Sequence, residues 1–123
     1  MRETVETPRY LKDAKRVRLS DAKLREIRDE WRRGPIPGDI IPGTGGARKV
    51  RIRGHGKGRS GGYRVIGFAL GSDGPLYLLA LFAKSERVDL TQAERNDLRR
   101  ELTEMTADYI KATADDQGRQ QDS

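Results

Sequence analysis

The chain has 123 residues, no cysteine, one histidine and a formal net charge of +6, with a mean hydropathy of −0.83. That length predicts one domain with a modest core. The missing cysteines exclude a disulfide framework and thiolate chemistry and suit a cytoplasmic location, and a lone histidine disfavours a His-based zinc site. The longest apolar run, Leu76 to Ala83, is too short to span a bilayer, and the charged start from Arg2 lacks the apolar core of a signal peptide.

Thr4 to Glu6 reads as a short edge strand. Thr7-Pro8 then reads as a cap followed by proline at the first helical position, where its missing N–H costs nothing. This predicts a helix from Pro8 to about Val17. Ser20 caps a second helix, Asp21 to Arg33, whose Leu24, Ile27 and Trp31 share one face, with Trp31 as its core anchor. Gly34-Pro35 stops it. Residues 34–46 are rich in Gly and Pro and read as a loop that Ile40 and Ile41 pin to the core.

Three strands are expected next. Arg48 to Arg53 alternates, with Val50 and Ile52 on one face and Lys49, Arg51 and Arg53 on the other. A Gly-rich turn at 54–62 leads to Tyr63–Leu70, and a tight turn at 71–75 leads to Leu76–Ala83. These are hairpin spacings and predict an antiparallel meander. The last strand is apolar on both faces, so it should be covered on both. Thr91 to Glu94 spells a capping box, and the helix behind it carries Leu98, Leu102, Met105 and Tyr109 on one stripe. Residues 114–123 are polar and read as a disordered tail, which leaves 1–113 as the folded domain. Tyr63, Tyr77 and Tyr109 read as core residues before they read as base-stacking platforms.

The charge is not spread evenly. Between Asp39 and Asp73 there is no acid, yet there are seven bases: Arg48, Lys49, Arg51, Arg53, Lys57, Arg59 and Arg64. A surface kept merely soluble mixes signs. One built to meet a polyanion concentrates one sign, and nucleic acid is the first candidate. Gly43-Thr44-Gly45-Gly46 does not make a nucleotide-binding loop, because it precedes a strand and no Gly-Lys-Ser/Thr follows.

Arg64 interrupts an apolar strand, and Lys84 ends another. In an antiparallel meander they lie near one end of the sheet. Cations beside an apolar core are costly unless they face an anion or an ion-pair partner. They therefore either clamp a phosphate and stabilise a phosphorane or pair with Glu86 or Asp89. His55 has the ordinary pKa of an acid–base group but stands between glycines, where an exposed loop role is the simpler account.

Several segments occur together in order: Val5-Glu6-Thr7-Pro8, Gly38 to Gly46, Arg48-Lys49-Val50-Arg51, Lys57 to Ile66, and Ala83 to Thr91. Over roughly residues 5 to 105 this resembles the RelE/HigB superfamily of type II toxin–antitoxin toxins, and its HigB-like branch in particular. The resemblance implies an α+β, RelE-like fold: two N-terminal helices packed on a twisted antiparallel sheet of three to four strands, plus a C-terminal helix. It also implies a ribosome-dependent mRNA endonuclease that halts translation and works without a cofactor or metal. The implied partners are the ribosome, mRNA and a cognate helix-turn-helix antitoxin through which the complex binds operator DNA.

In such chemistry the ribose 2′-OH attacks the adjacent phosphate, a base takes its proton, cations stabilise the phosphorane, and an acid protonates the leaving oxygen. The resemblance makes Arg64 the phosphate clamp and Lys84 a clamp or acid. Arg48, Lys49, Arg51, Arg53, His55, Lys57 and Arg59 would hold RNA backbones. Several members carry a catalytic Tyr or His after the final strand. Here Ser85 to Thr91 has neither, so Glu86 or Asp89 substitutes or the ribosome supplies more of the catalysis. Gly67 stands where an aromatic is expected, which predicts a locally thinner sheet. Two other roles use the same basic sheet: a non-catalytic RNA- or ribosome-binding module, and an inactive homologue that serves as an antitoxin-binding corepressor.

Overall fold

The computed structural model describes residues 2–53, 62–71 and 74–121, with side chains as far as Ala114. Its elements are β1 (Thr4–Glu6), α1 (Pro8–Arg16), α2 (Asp21–Arg32), β2 (Asp39–Ile40), β3 (Arg48–Ile52), β4 (Tyr63–Ala69), β5 (Leu76–Ala83) and α3 (Gln92–Gln121). The helix starts are where the side chains dictate. The Tyr10 N–H donates to the Thr7 hydroxyl at 3.3 Å and the Lys23 N–H to the Ser20 hydroxyl at 3.1 Å. At α3 the capping box is reciprocal: Glu94 N–H donates to the Thr91 hydroxyl at 3.1 Å, and Thr91 N–H donates to the Glu94 carboxylate at 2.8 Å.

The strands form one five-stranded sheet in the order β1-β5-β4-β3-β2. The β3–β4–β5 meander is antiparallel, as expected. Two features extend the expectation. The segment read as a loop contributes β2, a two-residue edge strand paired with β3. In addition β1 pairs with β5 in parallel, so the sheet is mixed. The loop pinning is divided: Ile41 is buried, whereas Ile40 is 57% exposed on the edge.

The core lies on both faces of the sheet. Tyr10, Ile27, Trp31, Val65, Leu76, Leu78 and Leu81 pack beneath α1 and α2. Ile41, Ala47, Ile66, Phe68, Phe82, Leu98 and Leu102 pack between the sheet and α3. β5 is thus covered on both sides, which accounts for its unbroken apolar sequence. Its pairing with β4 steps from Ile66–Ala80 to Gly67–Leu78 and leaves Leu79 without a partner. This bulge explains how consecutive Leu79 and Ala80 both serve the α3 side.

Gly67 does not thin the sheet. A Cβ there would overlap the Trp31 ring, so the aromatic bulk comes from α2 and needs the glycine to seat. On α3 the apolar stripe outruns the sheet: Leu98 and Leu102 are buried, Met105 packs at the margin, and Tyr109 is exposed. The α3 backbone continues past Ala114 to Gln121, over residues read as a disordered tail. Among the described residues no helix is long and apolar enough to cross a membrane.

Candidate functional site

Strand alternation decides which cations meet. Val50 and Ile52 face the α2 side, so Lys49 and Arg51 face the α3 side. Arg51 lies directly opposite Arg64 in the ladder, and Arg64 lies opposite Phe82 on β5. Arg64 is 6% exposed, the most buried arginine among the described residues. Its Nη1 donates to the Tyr63 carbonyl at 3.3 Å. Phe82 is also capped from the connector after β5, where the Arg87 guanidinium stacks 4.7 Å from the ring centroid, a cation–π arrangement. Arg64 and Arg87 therefore flank the buried Phe82, and Arg51 stands beside Arg64 on the neighbouring strand.

Lys84 is exposed and follows directly on β5. Its N–H donates to the Gly62 carbonyl at 3.1 Å, which places it at the Arg64 end of the sheet, as the meander predicts. Arg53 is exposed just past β3. Arg48 departs from the group: it occupies the alternate position with Val50 and Ile52, and its Nη1 donates to the Gly38 carbonyl at 3.0 Å. It ties the 34–46 loop to β3. His55, Lys57 and Arg59 lie outside the described residues.

The two carboxylates have different surroundings. Glu86 turns toward α1, where Arg16 Nε and Nη2 meet its oxygens at 2.8 and 3.1 Å. It also accepts the Ala83 N–H at 3.0 Å. The Arg16 hydrogen bonds hold the Glu86 carboxyl below the ordinary 4.5 despite some burial, and the same contacts raise the Arg16 guanidinium. Arg16 also pairs with Asp13 and donates to the Leu81 carbonyl at 3.1 Å. Glu86 thus belongs to a strut between α1 and the end of β5.

Asp89 faces the basic side. Its Oδ2 meets Lys49 Nζ at 3.3 Å and Arg95 Nη2 at 3.1 Å, joining β3 to the start of α3. Its Oδ1 accepts the Leu90 N–H at 2.8 Å. Partial burial pushes this carboxyl up, but the Leu90 N–H and the two cations outweigh it and leave the group below 3.8. Glu94, at the head of α3, is likewise held below 4.5: burial opposes ionisation, while Arg87 and the Thr91 N–H overcome it. The ion pairs offered to Arg64 and Lys84 on sequence grounds thus go, for these acids, to Arg16, Lys49 and Arg95. Three contributors were not singled out from sequence: Arg16, Arg87 and Arg95. The only local signal was their spacing from acids in the same connector or helix.

A mixed sheet with α1 and α2 on one face, α3 on the other and arginines gathered where β3, β4 and the β5 connector meet defines a class of small α+β proteins with a basic sheet end. The family model for the RelE toxin of the RelE/RelB toxin–antitoxin system matches residues 4–119. The chain therefore belongs to the RelE toxin family, and the family implies a cognate antitoxin as its partner.

Proposed function

We propose that this toxin is a ribosome-dependent mRNA endonuclease of the HigB-like branch that acts in the cytoplasm and inhibits translation. One observation carries the reading: the buried Arg64, paired in the ladder with Arg51, sits at the sheet end where Lys84 begins the connector. Guanidinium groups held in a low-dielectric margin are suited to a phosphorane, whose extra charge they stabilise more than that of the ground state. Arg64 is the clamp. Lys84, exposed at the rim, protonates the leaving 5′-oxygen or joins the clamp. Lys49, Arg51 and Arg53, together with His55, Lys57 and Arg59, hold the RNA backbone. Arg48 supports the loop behind them. No metal takes part in this scheme.

Glu86 and Asp89 are weak bases as they stand. Both carboxyls are held below their ordinary values, Glu86 chiefly by Arg16 and Asp89 by the Leu90 N–H with Lys49 and Arg95, and a general base works best with a pKa near the working pH. Proton removal from the 2′-OH then falls to the ribosome or to Lys84, whose ammonium must lose its proton to serve. The same observation favours a second reading, a non-catalytic ribosome-binding module. In either case the antitoxin, a helix-turn-helix protein, would cover the toxin and carry the complex to operator DNA.

Primer extension on an mRNA, with and without translating ribosomes, separates the two. Discrete cuts that need ribosomes are expected from the wild-type protein. Arg64→Gln should lower cleavage by about 10²- to 10³-fold, the usual cost of one transition-state donor. Ribosome co-sedimentation should change little, because several cations share the binding. Absence of cuts from folded, antitoxin-free protein would leave the binding module.

A further inference from the structure

Among the acids of this region, Asp89 alone is set between two elements of the basic face. Glu86 is held by Arg16 and the Ala83 N–H on the α1 side. Glu94 is committed to the Thr91 N–H, to Arg87 and, at 3.6 Å, to Arg9. Asp89 instead presents one oxygen to both Lys49 and Arg95 while its other oxygen takes a main-chain N–H. Two cations share one carboxylate oxygen, so the cluster retains a net positive charge. The buried Arg95 Nε has no acceptor, so the guanidinium has donor capacity that Asp89 does not fill.

All three side chains are partly open to water, at 30% for Lys49, 37% for Asp89 and 26% for Arg95. Ion pairs this exposed are weak, on the order of 1 kcal/mol or less. A phosphodiester has two non-bridging oxygens and can meet both cations at once, which one shared carboxylate oxygen does less well.

We propose that Asp89 is a displaceable counterion: its carboxylate occupies the place that a backbone phosphate of single-stranded RNA takes between Lys49 and Arg95. This rests on the RNA-binding reading of the basic face. In free protein Asp89 keeps Lys49 against the head of α3 and lowers the attraction of the face for stray polyanions. When RNA arrives, its phosphate replaces the carboxylate on both cations, and Asp89 swings to solvent on its connector. Asp89 is thereby a regulator of affinity and takes no part in bond breaking.

The test is fluorescence anisotropy of a labelled single-stranded RNA ten-mer, titrated with the full chain over a series of salt concentrations. Asp89→Asn keeps an oxygen for the Leu90 N–H and removes the charge. It should bind about two- to fivefold tighter, the range set by an exposed ion pair, with an unchanged salt slope. Asp89→Glu, which keeps the charge, should return affinity to the wild-type level; a merely structural role predicts no such split between Asn and Glu. Lys49→Gln should flatten the log–log salt slope by about 0.7, one phosphate contact on a single strand. Unchanged or weaker binding by Asp89→Asn, or an unchanged slope for Lys49→Gln, overturns the counterion role while leaving RNA binding intact. Failure of wild-type and variant alike to bind RNA overturns both the counterion role and the reading on which it rests.

Discussion

At the scale of single residues, Gly67 and Trp31 are one unit. The indole lies where a Cβ would stand, and Trp31 is fully buried among Tyr10, Val65 and Leu78. Gly67 has no unusual backbone angle that would call for glycine, so the requirement is space alone. Gly67→Ala forces the indole or the strand to shift, and overpacking of a tight core costs about 1–3 kcal/mol. A urea melt should show that loss, and Trp31→Phe in the Gly67→Ala background should recover part of it. Recovery is the informative outcome, because a generic strand effect of the alanine would not depend on residue 31.

At the scale of elements, the connector from Lys84 to Thr91 is held at both ends by ion pairs. One anchor is Glu86 on Arg16 of α1; the other is Asp89 on Lys49 of β3 and Arg95 of α3. Glu86, Asp89 and Glu94 all have carboxyls depressed in the folded state. A depressed carboxyl contributes its stability in full above its unfolded pKa and loses it as pH falls through the folded value. Thermal midpoints should therefore be flat with respect to these groups above about pH 6 and decline as pH drops below 4.5, the ordinary value for Glu86. Glu86→Gln should lower the midpoint at neutral pH, and the gap from wild type should close as pH falls below 4.5 and through the depressed Glu86 value, where both forms become uncharged. A gap that stays constant across this range would mean that the Arg16 pair contributes nothing through charge. The two-residue β2 belongs to the same scale: Arg48 and Ile41 hold it through the Gly38 carbonyl and the core beneath α3.

At the scale of the whole molecule, the sheet is the dividing wall. α1 and α2 seal one face, α3 seals part of the other, and the part beyond the head of α3 is where the arginines gather. Among the described side chains of α3 the last buried one is Leu102, and Tyr109 and Ile110 beyond it are exposed. Ending the chain after Thr113 should leave the circular dichroism melting midpoint within about 2 °C, as the reading of 1–113 as the folded domain requires. Ending it before Leu98 should abolish cooperative melting by removing two buried leucines. A large loss from the shorter truncation would place the domain boundary beyond 113.

Much of this architecture was legible in the chain because it is local. Thr7, Ser20 and Thr91 cap helices through hydrogen bonds spanning three residues, so a reader of the sequence sees both partners at once. The alternation in β3 sorts Lys49 and Arg51 from Val50 and Ile52 for the same reason, and the acid-free block is visible without any fold. The remaining features depend on partners far apart in the chain. Nothing near Gly67 announces Trp31, nothing near Glu86 announces Arg16, and a parallel β1 is indistinguishable from an antiparallel one when only three residues are read. Whether Asp89 is a base or a counterion turns on Lys49 and Arg95, which only the packing of β3 against the head of α3 brings to one oxygen. Capping and strand alternation act within a few residues, whereas charge pairing and steric fit act through space, and the folded chain decides which distant groups share that space.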